Sequence, residues 1–167
     1  VIGAGSSGGQ IADELQRSGR KVFLCVGPHD RPPRSYRDRD YCWWLGVLGL
    51  WDLSAKTPGT EHVTISVSGA QGGKTVDFRK FAHDGMVLLG RASSYKNGKL
   101  IISNDLKKNI TEGDANYLYL LTKADTYIEK FGINLPEEPK AHILLKDPEC
   151  LTTPILELDL EKEGIRS

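Results

Sequence analysis

Three glycines near the start of the chain constrain its fold more than any other feature. Residues Gly3 to Gly8 read Gly-Ala-Gly-Ser-Ser-Gly, which is the spacing G-x-G-x-x-G. Apolar Val1-Ile2 precedes them, a helical pattern of apolar residues over 9–19 follows, and a continuous apolar run over 21–26 comes next. Such a run is typical of a strand buried on both faces of a sheet. The order of strand, glycine turn, helix and strand therefore predicts a compact βαβ unit.

Each glycine of this turn has a physical role in binding a dinucleotide. Gly3 allows the tight turn, Gly5 lets the backbone approach a diphosphate, and Gly8 lets the helix pack closely on the strand. The helix N-terminus offers unpaired N–H groups and a partial positive charge, to which Ser6 and Ser7 can add hydroxyl donors. The alternative is a turn that only connects strand to helix, but three glycines at this spacing exceed that need. The turn predicts a diphosphate site.

The end of the second strand indicates which dinucleotide is bound. NAD and FAD sites place an acidic residue there to bind the ribose 2′-hydroxyl. This strand ends Val26-Gly27-Pro28 without an acid, and Asp30 lies beyond it. Four arginines follow, at Arg31, Arg34, Arg37 and Arg39. Guanidinium groups suit a 2′-phosphate, so NADP(H) is favoured, with Arg31 and Arg34 nearest the strand. The alternative is an exposed loop in which aspartates balance the arginines.

The rest of the chain predicts a larger sheet. Further strands are expected at residues 63–67, 87–89 and 99–103, the last after a turn at Asn97-Gly98. A short helix is expected at 75–82, capped by Thr75, and a long one at 114–131, ended by Gly132. Residues 27–40 read as a loop and 156–165 as weakly structured. We therefore expect one α/β domain over residues 1–167, a Rossmann-like three-layer fold with a central, mostly parallel sheet, helices on both faces and a small β-meander.

A second glycine-rich turn spans Gly69 to Thr75 and resembles a phosphate-binding P-loop. It has three residues between Gly69 and Gly-Lys-Thr, whereas a P-loop needs four to wrap a phosphate. No strand that ends in an acid follows nearby to hold magnesium. A nucleotide phosphotransferase is therefore the weaker alternative. The backbone at Gly69 can still line a cofactor cleft, and a plain connection explains the turn equally well.

Composition excludes several classes of function. The chain has 22 basic and 22 acidic residues, and a general nucleic-acid binder would show a basic excess. No apolar run approaches the roughly 18 residues that span a bilayer. The odd number of widely spaced cysteines, at Cys25, Cys42 and Cys150, argues against a disulfide framework and favours a cytoplasmic protein. We therefore expect neither a nucleic-acid nor a membrane partner.

Catalytic and metal-binding patterns are missing from the sequence. The four histidines are scattered, and no His/Cys spacing fits a zinc site. There is no G-x-S-x-G nucleophile motif. The sequence predicts a cofactor site without catalytic residues of its own.

Most of the chain resembles the NADPH-binding domain of flavin-containing monooxygenase-like flavoproteins. Among them it is most similar to a bacterial group whose label mentions potassium transport, although no residue here supports that role. The form G-x-G-x-S-G, with Ser7 before Gly8, is typical of the second dinucleotide site in these enzymes. The resemblance is carried by residues 1–15, 20–26, 31–40, 44–45, 68–70, 75–79, 84–91, 113–117 and 154–158.

This resemblance implies a function in a longer protein. The family's NADPH domain is inserted between two parts of an FAD-binding domain, and hydride passes from nicotinamide to flavin. The reduced flavin then reacts with oxygen and oxidises a soft nucleophilic small-molecule substrate. The FAD glycine motif and the Ala-Thr-Gly segment are absent from this chain, which begins as if cut within a strand. We therefore expect a fragment that is inactive alone, whose partner is the missing FAD-binding portion.

The resemblance also implies cofactor contacts. The diphosphate would be bound by Gly3, Gly5, Ser6, Ser7 and Gly8, and the 2′-phosphate by Arg31 or Arg34. Gln10 and Gly69 complete the predicted site. Besides the phosphotransferase, the alternative is a stand-alone NAD(P)-binding module that senses redox state. A homo-oligomer is left open.

Overall fold

The computed structural model of the protein describes residues 1–53 and 64–165. Four α-helices lie within these ranges: α1 (Ser6–Arg17), α2 (Tyr41–Val47), α3 (Phe78–His83) and α4 (Leu106–Phe131). Seven short strands accompany them: β1 (Phe23–Cys25), β2 (Ser35–Tyr36), β3 (Arg39–Asp40), β4 (Val87–Leu89), β5 (Ala92–Lys96), β6 (Lys99–Ile102) and β7 (Glu157–Asp159). Single 3-10 turns occur at Ala70–Gly72, Pro139–His142 and Glu149–Leu151.

The strands of the described residues form three small sheets instead of one large sheet. β1 and β4 pair in parallel, β2 and β3 form an antiparallel hairpin, and β5, β6 and β7 form an antiparallel sheet in that order. The prediction of a Rossmann-like three-layer domain with a central, mostly parallel sheet is therefore wrong. The antiparallel sheet is not a simple meander either, because α4 separates β6 from β7 in the chain.

The packing of the parallel pair explains this difference. Leu24 and Leu88 face a core formed with α1, α3 and the start of α4. On the opposite face, Phe23 and Cys25 pack with Leu89 and with residues of β6 and β7. The antiparallel sheet thus covers the face that a Rossmann fold covers with helices. A second helical layer has no apolar face left to bury there.

The turn, helix and second strand predicted for residues 1–26 are present, and the first strand is reduced to a single bridge. Ile2 forms an isolated parallel bridge with Cys25. The Gly3 amide donates to the Cys25 carbonyl at 3.2 Å, and the Cys25 amide donates to the Val1 carbonyl at 3.0 Å. α1 then returns the chain to β1. The glycine turn therefore lies at the carboxyl end of Val1-Ile2, beside the carboxyl end of β1.

The long helix α4 begins earlier than predicted, at Leu106 instead of residue 114. Gly113, just before the predicted start, lies inside the helix. A Cβ at Gly113 would stand 2.4 Å from His29 Nε2, so a buried ring explains this glycine. The predicted end is confirmed, because Gly132 adopts the left-handed conformation with φ 61°. α4 buries Leu120, Leu121, Ala124 and Ile128 along its length.

The structure also differs from the predictions for several shorter segments. The helix after the second glycine turn is capped by Asp77, whose carboxylate accepts from the Lys80 amide, and not by Thr75. Of the strand predicted at 63–67, only an isolated bridge between Ile65 and Asp30 is present, and residue 63 lies outside the described ranges. The 27–40 loop contains the β2–β3 hairpin, and the weakly structured end contains β7. No helix in the described part of the chain is long and apolar enough to cross a membrane.

Candidate functional site

The glycine turn brings strand and helix into very close contact. Gly3 has φ +94°, a conformation that side chains strongly disfavour. A Cβ at Gly8 would lie only 1.9 Å from the Gly3 carbonyl oxygen and 2.9 Å from its carbon. Gly5 is the N-cap residue of α1, and its carbonyl accepts from the Gly9 amide at 2.8 Å. Helix α1 therefore starts directly against the strand end because residues 3 and 8 lack side chains.

Ser6, the first residue of α1, is already hydrogen-bonded within the chain. The amide and hydroxyl of Ser6 both donate to the Ile65 carbonyl, at 3.0 and 2.9 Å. The buried Ser66 hydroxyl holds the same segment to the Ala4 carbonyl at 2.5 Å. The next two amides, of Ser7 and Gly8, have no acceptor among the described residues. These two N–H groups and the positive end of the helix dipole remain for an anion.

A crevice of about 280 Å³ opens beside this turn. It lies at the carboxyl ends of Val1-Ile2 and β1, where open α/β arrangements bind their ligands. Its volume is near the lower end of the roughly 300–1,000 Å³ range of small-molecule pockets. The crevice is lined by Ile2, Gly3, Ala4, Gly5, Cys25, Gly27, Pro28, Thr64, Arg91 and Ala92.

Arg91 supplies the positive charge in this crevice, and the sequence analysis did not identify it. Its side chain is 64% exposed, and its Nε lies 3.7 Å from Asp105 Oδ2. Its Cδ lies 4.0 Å from the position that a Cβ of Gly27 would occupy. A signal for it does exist in the sequence, because Arg91 comes two residues after the buried strand at 87–89. Residues at the ends of parallel strands share one edge of a sheet.

Arg31, in contrast, is buried away from the crevice. It is 3% exposed, and its guanidinium donates to Asp114 Oδ1 at 2.7 Å and to the Val76 carbonyl at 2.9 Å. The Tyr117 ring packs against it, with 4.3 Å between the guanidinium carbon and the ring centroid. Arg79 binds the other oxygen of Asp114, so that one carboxylate bridges two buried guanidinium groups. Its hydrogen bonds to Asp114 and to the Val76 carbonyl hold Arg31 in the buried interior of the protein.

Three more predicted site residues, Arg34, Gln10 and Gly69, also lie outside the lining of the crevice. Arg34 pairs with Asp40, and its amide donates to the Thr75 hydroxyl at 2.9 Å. Gln10 lines a separate cavity of about 410 Å³ between α1 and α3, and its amide donates to Glu14 at 3.1 Å. Gly69 is exposed, beside two lining residues of that second cavity. Of the predicted site residues, Gly3 and Gly5 line the crevice. The same turn continues through Ser6, Ser7 and Gly8 into α1, outside that lining, and Gln10, Arg31, Arg34 and Gly69 lie elsewhere.

The second glycine turn does not have the arrangement of a P-loop. Gly72 and Gly73 have φ near +80°, but α3 begins only at Phe78 and contains six residues. The Asp77 carboxylate occupies the N-terminus of α3. An acid there repels a phosphate from the donors that a P-loop would offer. This arrangement argues against phosphate binding at α3.

Burial sets the protonation of two groups near the crevice. Desolvation lowers the pKa of His29, whose Nδ1 donates to the Gly27 carbonyl at 2.9 Å in the neutral ring. His29 thereby fixes the backbone at the end of β1. Burial raises the pKa of the Cys25 thiol, so the crevice contains a neutral thiol and not a thiolate. Among the described residues, no group of three or more His, Cys, Asp or Glu side chains could hold a metal ion.

Comparisons of the chain with protein-family models, curated proteins and solved structures found no match. The geometry of the glycine turn and its crevice therefore carries the functional argument.

Proposed function

We propose that this chain is the NADPH-binding domain of an FAD-dependent monooxygenase-type oxidoreductase. The observation that carries the proposal is the close contact between Gly8 and the Gly3 carbonyl, which brings the start of α1 against a strand end that lines the crevice. This contact packs the helix closely on the strand. It also holds the first N–H groups of α1 that lack an acceptor among the described residues next to the strand end, where a diphosphate would meet them.

The diphosphate of the cofactor would bind at the Ser7 and Gly8 amides. Both donors precede the first hydrogen bond of α1 and have no acceptor among the described residues. The exposed Ser7 side chain can add a hydroxyl donor. The Ser6 amide stays with Ile65, so binding at its two neighbours requires no rearrangement of the 64–66 segment.

The adenosine half of the cofactor would occupy the crevice over the end of β1. Gly27 stands where an NAD-binding chain needs a carboxylate for the ribose hydroxyls. Among the residues that the structure describes, the crevice lining includes no acidic side chain and one cation, Arg91. A cofactor with an extra phosphate on this ribose is therefore favoured over NADH.

The proposed chemistry follows from the family resemblance, in which a nicotinamide-binding domain acts together with an FAD-binding domain. When bound, NADPH would supply a hydride to a flavin, and this chain would hold and orient the nicotinamide cofactor for that transfer. In the proteins that the chain resembles, FAD binds to a separate FAD-binding domain, so we assign to this chain the nicotinamide cofactor alone. We expect the chain by itself to bind the cofactor without turnover.

Titration calorimetry with NADPH, NADH and ATP tests the proposal, with Ser7→Asp as the informative variant. An aspartate in the first turn stabilises a helix by about 0.3–1 kcal/mol, so the fold is maintained. The same charge repels a diphosphate, and we expect NADPH affinity to fall about tenfold or more, or 1.4 kcal/mol. Asn134→Asp is the control, because it makes the same charge change on an exposed loop.

The outcomes separate the candidate functions. NADPH binding that Ser7→Asp weakens and Asn134→Asp leaves intact supports the proposal. Failure to bind either dinucleotide contradicts it. ATP binding that Lys74→Ala abolishes would instead support a phosphotransferase that uses the second glycine turn.

A further inference from the structure

We infer that Arg91 binds the 2′-phosphate of the cofactor and sets the preference for NADPH over NADH. This inference rests on the proposed function, because it assigns one contact within the same crevice. It departs from the family resemblance, which implies Arg31 or Arg34 for this contact.

The register of the parallel pair places Arg91 at the correct strand end. Cys25 lies opposite Leu89 in the pairing of β1 with β4. Two residues further along each chain, Gly27 and Arg91 lie side by side, with 4.0 Å between Arg91 Cδ and the Cβ position of Gly27. The arginine side chain therefore extends across the site from which an NAD-binding carboxylate would project. A ribose bound there would have the guanidinium within reach of its 2′ substituent.

Arg91 is also the arginine available for an added anion in this crevice. Its Nε is 3.7 Å from Asp105 Oδ2, beyond the roughly 2.7–2.9 Å of a charge-assisted hydrogen bond. Arg31 already binds Asp114 in the core, and Arg34 binds Asp40. A phosphate that reaches the Arg91 guanidinium therefore displaces no hydrogen-bonded carboxylate of the described residues.

The backbone of Arg91 is fixed on both sides. Its amide donates to Asp105 Oδ1 at 2.9 Å, and its carbonyl accepts from the Ser103 amide at 2.9 Å. A Cβ at Gly90 would lie 2.1 Å from the Ser103 carbonyl oxygen, so the preceding residue is clamped against β6. The base of the side chain is thus held in place while its charged end stays in solvent. Such support reduces the entropy lost when the guanidinium binds a ligand.

The experiment measures the dissociation constants of the wild-type chain and of Arg91→Ala for NADPH and NADH. The fragments 2′,5′-ADP and 5′-AMP serve as smaller probes of the same contact. We expect Arg91→Ala to weaken NADPH and 2′,5′-ADP about tenfold or more and to change NADH and 5′-AMP less than about twofold. Arg20→Ala is the matched control, an exposed arginine at the other end of β1.

Three further variants, Arg91→Lys, Arg34→Ala and Ser7→Asp, keep this inference distinguishable from the proposed function. Arg91→Lys keeps the charge without the bidentate fork, and we expect it to restore part of the preference. An unchanged NADPH:NADH ratio in Arg91→Ala overturns the inference, as does loss of the ratio in Arg34→Ala. If neither dinucleotide binds the wild-type chain, or Ser7→Asp leaves both affinities unchanged, the proposed function itself fails.

Discussion

Replacing Gly8 by alanine tests the contact on which the glycine turn depends. The new Cβ would meet the Gly3 carbonyl oxygen at 1.9 Å, and both atoms belong to backbone that no rotamer change can move. Strand and helix would have to separate by about 1 Å or more. Overpacking of this kind costs about 1–3 kcal/mol, and alanine recovers about 1 kcal/mol of helix propensity. With the overpacking cost at the upper end of this range, we expect Gly8→Ala to lower the free energy of unfolding by about 2 kcal/mol.

Gly9→Ala provides the matched control at the next position of the same helix. A Cβ at Gly9 would have as its nearest contact the Ala4 carbonyl oxygen at 3.9 Å, an ordinary distance. The substitution therefore gains helix propensity without a clash, and we expect the free energy of unfolding to rise by about 0.5–1 kcal/mol. Two identical chemical changes on adjacent residues should thus act in opposite directions.

Urea unfolding followed by tryptophan fluorescence measures both variants. The slope of the transition should stay constant, so the midpoint reports stability directly. A Gly8→Ala protein as stable as the wild type would refute the close contact of helix and strand. The reasoning also fails if Gly9→Ala is destabilised as strongly as Gly8→Ala, because the loss would then reflect any side chain on this face.

Two further predictions concern buried charge. Asp114→Asn removes the carboxylate that bridges Arg31 and Arg79, and it should lower the free energy of unfolding by about 3–5 kcal/mol in urea titrations. Asp125→Asn, at a partly exposed ion pair, is the control, and an equal loss there would contradict the role of burial. For His29, burial lowers the pKa in the folded state, so the unfolded chain takes up a proton first as pH falls below about 6.5. The free energy of unfolding should therefore decrease on acidification from pH 7.5 to 5.5, and His29→Gln should flatten that slope; parallel pH profiles of the two proteins would rule out this cause.

Local rules of sequence predicted the elements near the glycine turn. Glycine spacing identified the turn, the 3.6-residue pattern identified α1, and the continuous apolar runs identified β1 and β4. The Asn97-Gly98 turn follows in the same way, because both residues adopt the positive φ that a two-residue hairpin needs. These features depend on interactions between residues close together in the chain. Sequence patterns report such interactions well.

The sheet arrangement depends on contacts that are distant in sequence. β6 pairs with β7 from near the end of the chain, with Leu100 opposite Leu158. That pairing covers one face of β1 and β4, and it removes the place of a second helical layer. An apolar run predicts that a strand is buried but not what buries it. The three-layer prediction failed for this reason.

The arginines near the candidate site show the same difference between what local sequence predicts and what contacts distant in sequence decide. The sequence alone determined that a glycine turn of the form G-x-G-x-x-G is followed by a strand without an acid at its end. It did not determine which arginine faces the crevice, and the four near the strand end were the natural expectation. In the folded chain Asp114, 83 positions further on, draws Arg31 into the core, because a buried guanidinium requires a counter-charge. Arg91 reaches the crevice because the parallel pairing of β1 with β4 places its strand end there, and only the tertiary structure sets that pairing.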